Sequence, residues 1–382
     1  PEFPVPDSVA RDPRGLEGDC LALLSDPNIA SKEPLVRRYD HEVQAGSVVK
    51  PFVGVRADAP SDGGVLKPRF ASTRGITVTH GICPRLSALD TYRMALAAVD
   101  EAMRGHVALG GDPDLAYALD NFCWPDPVES PRTPDGRYKL AQLVRACEGL
   151  KDGCLAYRLP LISGKDSMKN DARLGDRTIS VLPTLLVSLM GIVPDVGLSL
   201  TTDFKAEGDL IYLLGSTRGE MGGSSYCRAA GREFGEAPLV RPAEAMELYR
   251  RVFRAASEGL LSSCHDLSDG GLAVAAAESA LGGRLGADID IARVPLEPPD
   301  GGGGPADFAD EQILFCETPS RFLVTVNPAD RGKVEALFQG LPCAEAGRVT
   351  AAGGDLEFRR DETRLFGLSI EEIEEAWKIG YY

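Results

Sequence analysis

Long apolar runs, metal-type cysteine pairs and an excess of basic charge are all missing from this sequence. No stretch of about 18 or more apolar residues occurs, which leaves no candidate for a helical membrane span. Lys and Arg number 41 against 57 Asp and Glu, a formal charge of −16. A nucleic-acid groove or an anionic membrane surface needs clustered basic residues, so neither is an expected partner. A phosphate ligand stays open, since a few backbone donors or a bound metal suffice for it. The nine cysteines are odd in number and contain no C-x-x-C pair. That argues against a zinc site or a disulfide framework and for a reducing cytoplasm. Cys264 beside His265 is the nearest approach to a Cys-His nucleophile, but neighbours in a strand point to opposite faces. An initiator Met is absent too. Pro1-Glu2-Phe3 reads either as a vector remnant or as the edge of a segment from a longer polypeptide.

What is present suits two globular domains, at roughly 100–200 residues each. A Pro-rich, charged stretch over 1–20 reads as a linker, and residues 19–24 open a short helix. The segments 1–46, 47–200 and 201–382 are the expected lead-in, first domain and second domain. In the first domain, β-branched runs at 48–55 and 75–79 predict strands. Met94, Val99, Met103 and Val107 recur at near-helical spacing and predict a helix over 90–109, ended by Gly110-Gly111-Asp112-Pro113. A second helix follows over 137–158, a short buried strand over 159–162 and an interior strand pair over 179–193. In the second domain, 209–215 reads as a buried strand, 243–260 as a helix and 272–281 as an Ala-rich helix. The runs 312–317 and 321–326 read as strands and 331–338 as a helix. The Gly-rich stretch 300–305 reads as a surface loop.

Two turns could carry chemistry. Asp266 and Asp269 stand at a strand-to-helix junction where Gly270-Gly271 lets backbone approach a ligand. Free N–H groups there suit a phosphate and the carboxylates suit Mg²⁺, although Asp and Ser are equally ordinary helix caps. Ser163-Gly164-Lys165-Asp166-Ser167 follows an apolar run and is either a phosphate-holding loop or a polar turn with a solvated Lys. Asp62, in PSDGGVL, repeats the Asp-Gly-Gly form. Glu101 sits on the long helix, where an acid is usually solvated. His41, His80 and His106 are isolated and read as structural.

In chain order, DPNIASKE (26–33), YDHEVQ (39–44), PSDGGVL (60–66), DTYRMALAAVDEAMR (90–104), ALDNFCW (118–124), PLISGKDSM (160–168), LPTLLVS (182–188), MGGSSY (221–226) and CHDLSDGGLAVAAAES (264–279) resemble segments of the phosphoribosylformylglycinamidine synthase family. The resemblance runs from about residue 20 to EEIEEAW (371–377) and points to the C-terminal half of that family's synthetase part. It implies an N-terminal α+β domain and a C-terminal α/β domain, both like aminoimidazole ribonucleotide (AIR) synthetase. The N-terminal domain would form half of a barrel completed by a partner half. It also implies an ATP-dependent C–N ligase of purine biosynthesis. ATP phosphorylates the amide oxygen of formylglycinamide ribonucleotide, and glutamine-derived ammonia displaces the phosphate to give formylglycinamidine ribonucleotide, ADP and phosphate. The alternatives are a free-standing homodimeric ATP-dependent relative, such as a selenophosphate-synthetase-like or hydrogenase-maturation-like protein, and a structural half that binds nothing.

Residue by residue, the resemblance makes Asp62, Glu101 and Asp266 ligands of Mg²⁺ against a bound ATP or ADP, with Ser61 and Ser268 on the nucleotide. Gly105 stands where the family commonly has an Asn ligand. Gly164 and Lys165, with Asp120, would contact the nucleotide of the other cleft, and Ser167 the substrate. No residue is assigned a catalytic role, because the family's catalytic His motif and its glutaminase Cys-His-Glu set are not in this sequence. The implied partners are therefore an N-terminal synthetase half and a glutaminase subunit or domain, without which the chain would be inactive.

Overall fold

The computed structural model describes residues 14–175, 177–231, 235–298 and 308–379. The N-terminal part of the expected linker and the 300–305 loop lie outside the described residues. The architecture is mixed α and β, built on two sheets. The first has six strands in the order Ser47–Val49, Gly64–Leu66, Gly75–Ile82, Thr184–Val193, Ala116–Cys123 and Leu161–Ser167. Its central pairings are antiparallel, and only the last pair is parallel.

One face of this sheet packs on the helix Thr91–Ala108, whose predicted apolar positions Met94, Val99, Met103 and Val107 are all buried. Asp90 caps it, accepting from the backbone N–H of Tyr92 and Arg93 at 2.8 and 3.1 Å. The helix is buried nearly all round because the helix Gly136–Ala156 and the second domain cover its other sides. The opposite sheet face is open: register places Val78, Met190 and Tyr117 in one row, all exposed, with exposed Ile82 farther along the same face.

The second sheet has seven strands, ordered Ser263–Asp266, Phe322–Val326, Leu210–Leu214, Cys343–Ala352, Leu285–Asp290, Leu356–Arg360 and Thr363–Leu368. Leu210–Leu214 is buried at every position, as a strand covered on both faces must be. The helices Pro242–Ser257 and Gly271–Gly283 belong to separate apolar clusters that cover the sheet.

Four sequence expectations need correction. Residues 15–20 of the expected linker are helical, inside the helix Gly15–Leu24, which starts four residues earlier than expected and buries Asp19 and Cys20. Residues 310–315 form a helix (Asp310–Phe315), not a strand. A short apolar run does not discriminate by period, and here Gln312 folds back to accept from the backbone N–H of Ala309 at 3.0 Å. The expected strand pair over 179–193 is split. Thr184–Val193 is a central strand, whereas Arg177–Ser180 pairs with Asp171–Leu174 in a separate, largely exposed hairpin. The strand predicted as short and buried runs over Leu161–Ser167, and it is an exposed edge.

Candidate functional site

Where the domains meet, three elements converge: the turn holding Asp62, the middle of the Thr91–Ala108 helix, and the end of the Ser263–Asp266 strand. Asp62 Oδ2 accepts the backbone N–H of Asp266 at 3.0 Å, and its Oδ1 lies 2.7 Å from His265 Nδ1. The other ring nitrogen of His265 lies 3.0 Å from Glu278 Oε2. Burial alone would lower the pKa of this imidazole, but Asp62 and Glu278 outweigh it and raise the value well above the ordinary range. Burial in turn pushes the Asp62 carboxyl upward against the pull of His265.

Arg104 ties the rest together. Its Nε donates to Asp266 Oδ2 at 2.9 Å, Nη1 to Asp100 Oδ2 at 2.7 Å and Nη2 to Ser268 Oγ at 2.9 Å. The guanidinium side chain is 5% exposed and Asp100 is fully buried. Asp100 further accepts from the hydroxyls of Tyr157 and Tyr249, both at 2.6 Å, and from the N–H and hydroxyl of Ser320 at 3.1 and 2.7 Å. Since Tyr249 and Ser320 belong to the second domain, a carboxylate on a helix of the first is satisfied largely from across the boundary. Ser268 bridges Glu101 Oε1 at 3.2 Å and Asp266 Oδ2 at 3.1 Å. Glu101 Oε2 accepts the backbone N–H of Ile82 at 2.7 Å, and burial raises its carboxyl to about 7.

The expected trio of Asp62, Glu101 and Asp266 is thus brought into one cluster. The ligand atoms of Asp62, His265 and Asp266 even lie within 4.8 Å of one another, close enough for a metal. The residues present do not fit Mg²⁺, however, which demands near-octahedral oxygen ligation at about 2.1 Å. Both Asp62 oxygens are engaged, and Asp266 Oδ2 already carries Arg104 and Ser268. A dication on that oxygen would sit about 4 Å from a guanidinium that cannot lose its charge, a repulsion of about 8 kcal/mol at an effective dielectric of about 20. Gly105, in place of the expected Asn, brings no side-chain ligand of its own. A Cβ there would stand 3.0 Å from the Asp62 carbonyl oxygen. In this arrangement Asp62, Glu101 and Asp266 are each held by a protein donor: the Asp266 N–H, the Ile82 N–H and Arg104.

Beside the cluster lies a cleft of about 520 Å³ between the domains, lined by Glu101, Arg104, Arg85, Ser268, Asp269 and Glu317 and by apolar residues such as Ile82 and Leu182. Gly270 and Gly271 adopt φ of 79° and 66°, so the backbone N–H of Gly270 turns inward to donate to Glu317 Oε1 at 2.8 Å. The same oxygen accepts from Ser225 N–H at 2.8 Å. Burial, with Asp269 nearby, raises Glu317 to about 7. Arg85 donates to Asp269 Oδ1 at 2.8 Å and to Ser225 Oγ at 2.7 Å. Ser61, expected on a nucleotide, donates its hydroxyl to Gly63 O at 2.8 Å within its own turn.

Asp120, Gly164, Lys165 and Ser167 are not part of this cluster or cleft. Gly164 pairs with Asp120 across the parallel strands, so close that a Cβ would meet Asp120 Oδ1 at 2.5 Å. Lys165 pairs with Asn121 and Ser167 with Cys123, which places both on the open sheet face. His106 is structural, as expected: it is buried against Thr77 and the Asp112 carbonyl, and burial lowers it to about 4. Sequence reasoning missed Arg104, Asp100, Glu278, Arg85 and Glu317, and weighed His265 only as a partner of Cys264. An Asp-Arg pair four residues apart, among the apolar positions of the Thr91–Ala108 helix, was the available signal for the first two.

Residues 60–193 match the N-terminal domain of AIR synthase related proteins, and residues 206–358 match the C-terminal domain. The phosphoribosylformylglycinamidine synthase subunit PurL of Alkaliphilus metalliredigens is 33% identical over 370 residues, covering 96% of this chain and 45% of its own length. The chain therefore spans about half the length of the curated relatives it matches. T. maritima PurL complexed with FGAR superposes with a TM-score of 0.71 at 17% identity, over 95% of this chain and 54% of that one. The same protein complexed with ADP gives 0.63 over 86% and 48%. A HypE–HypF complex gives 0.58 at 12% identity, over 80% of this chain and 91% of the other. With both domains matched in order and its fold shared with PurL, the chain belongs to the AIR synthase-related proteins.

Proposed function

We propose that this chain serves as the C-terminal half of a phosphoribosylformylglycinamidine synthase synthetase, an ATP-dependent C–N ligase of purine biosynthesis. The observation that carries the reading is the 33% identity to PurL along 96% of this chain but only 45% of the relative. The open apolar sheet face around Val78, Tyr117 and Met190 is the surface on which a partner N-terminal half would close a barrel. On this reading Asp120, Gly164, Lys165 and Ser167 lie at the rim of the partner's cleft, toward ATP and formylglycinamide ribonucleotide. The domain-boundary cleft, with Ser268 and Arg85, holds a second nucleotide such as ADP, without a metal on the acidic cluster. A glutaminase supplies the ammonia.

The test is reconstitution. The chain alone, given ammonia, ATP and formylglycinamide ribonucleotide, should form no product, and adding a separately expressed N-terminal half should restore turnover. Turnover by the chain alone would overturn the reading. A second reading, a free-standing homodimer, draws support from the matched chain of the HypE–HypF complex, 91% of whose length is covered. Sedimentation of the chain alone as a stable dimer that hydrolyses ATP would favour it.

A further inference from the structure

Glu101 and Gly105 stand one helical turn apart on the face that looks across the domain boundary, and Arg104 lies beside them with its side chain laid over that face. Its three donors reach Asp266, Asp100 and Ser268, at 2.9, 2.7 and 2.9 Å. Two of those acceptors come from the second domain and one from the first. The fork geometry of a guanidinium suits several oxygens at once, as a small dication would, but it is covalently anchored and cannot dissociate. Neighbouring acids are met by neutral or protein-borne donors as well: the Tyr157 and Tyr249 phenols on Asp100, the Ile82 N–H on Glu101, and the Asp266 N–H on Asp62.

We propose that the Arg104 guanidinium is the permanent cation of this cluster, closing Asp62, Glu101 and Asp266 to divalent metal and joining the two domains without one. The inference stands on this geometry and holds whether or not the ligase reading does.

Mn²⁺ alone, titrated into the full chain and followed by the electron paramagnetic resonance of the free ion, tests this. The parent chain should show only diffuse, weak binding that Asp266→Asn leaves unchanged. Arg104→Gln, which keeps hydrogen-bond donors but removes the charge, should gain a saturable site roughly tenfold or more tighter, and adding Asp266→Asn should remove it. Arg104→Lys keeps a cation in place and should stay closed. A stoichiometric Mn²⁺ site in the parent that Asp266→Asn abolishes overturns the proposal, as does a folded Arg104→Gln that binds no better than the parent. Should Arg104→Gln fail to fold, the parent and Asp266→Asn titrations decide the matter between them.

Discussion

Two groups of polar residues, both expected from the resemblance to be binding positions, meet opposite fates in this molecule. Asp62, Glu101, Asp266 and Ser268 are drawn into the domain boundary, where Arg104, His265 and backbone N–H groups surround the carboxylates. Lys165 and its neighbours lie along an exposed edge strand, and Lys165 forms no ion pair among the described residues. Burial is what separates them. A buried carboxylate must find partners within the fold, so the first group works as a rivet between domains. An exposed edge keeps its groups available to a partner or ligand, but contributes little to holding the fold.

The sharpest way to break this contrast is to remove one charge from each group. Arg104→Ala leaves Asp100 and Asp266 buried without their shared counterion and should cost about 3–5 kcal/mol. Lys165→Ala should change stability by less than about 0.5 kcal/mol. Urea unfolding of both variants, compared at equal slope, measures the difference. Equal and small losses would show that the boundary cluster is not a rivet at all.

A second, smaller effect separates the regions by pH. Glu317 lies at the cleft with its folded pKa raised from 4.5 to about 7 by burial. Between those values the folded state binds more protons than the unfolded one, so stability falls as pH rises from about 4.5 to about 7. His265 adds to the same trend at higher pH: its raised folded pKa gives stability that is present below 6.5 and lost as pH climbs through the folded value. Glu317→Gln keeps an oxygen for the Ser225 and Gly270 N–H groups but cannot ionise. It should remove a decline on the order of 2–3 kcal/mol between pH 5 and pH 8. Thermal unfolding across that range reads it, and an unchanged slope in the variant would place the titration elsewhere.

The same two regions show how far the sequence could be read. The helix over 91–108 and the strand over 210–214 were legible because period and composition agree with where they pack. The assembly of Asp62, Glu101 and Asp266 was legible only through resemblance, since no local pattern links residues so far apart in the chain. What occupies the space between them was not. Arg104 lies inside a quoted segment, yet its role depends on Tyr249, Asp266, Ser268 and Ser320 arriving from another domain. The edge strand over 161–167 misled for the converse reason. Its apolar start, Leu161-Ile162, looks like core in sequence, but both side chains are exposed at the sheet edge.

The smallest effect on the chain itself is expected from the exposed group, and there the comparison turns on function. Lys165→Ala and Ser167→Ala, together, remove a side-chain charge and a hydroxyl from the open sheet face of this exposed edge strand. Nothing in the fold depends on them, so the midpoint of thermal unfolding should stay within about 1–2 °C of the parent. If the edge reaches a partner's cleft, the reconstituted assembly should nevertheless lose activity, by roughly tenfold or more for a charge-assisted phosphate contact. A KM rise at constant kcat would assign the pair to ground-state binding, and a kcat fall to contacts made as the phosphoryl group transfers. An assembly with unaltered kinetics would leave this strand as bare edge, and the second region would then lose its claim to a ligand.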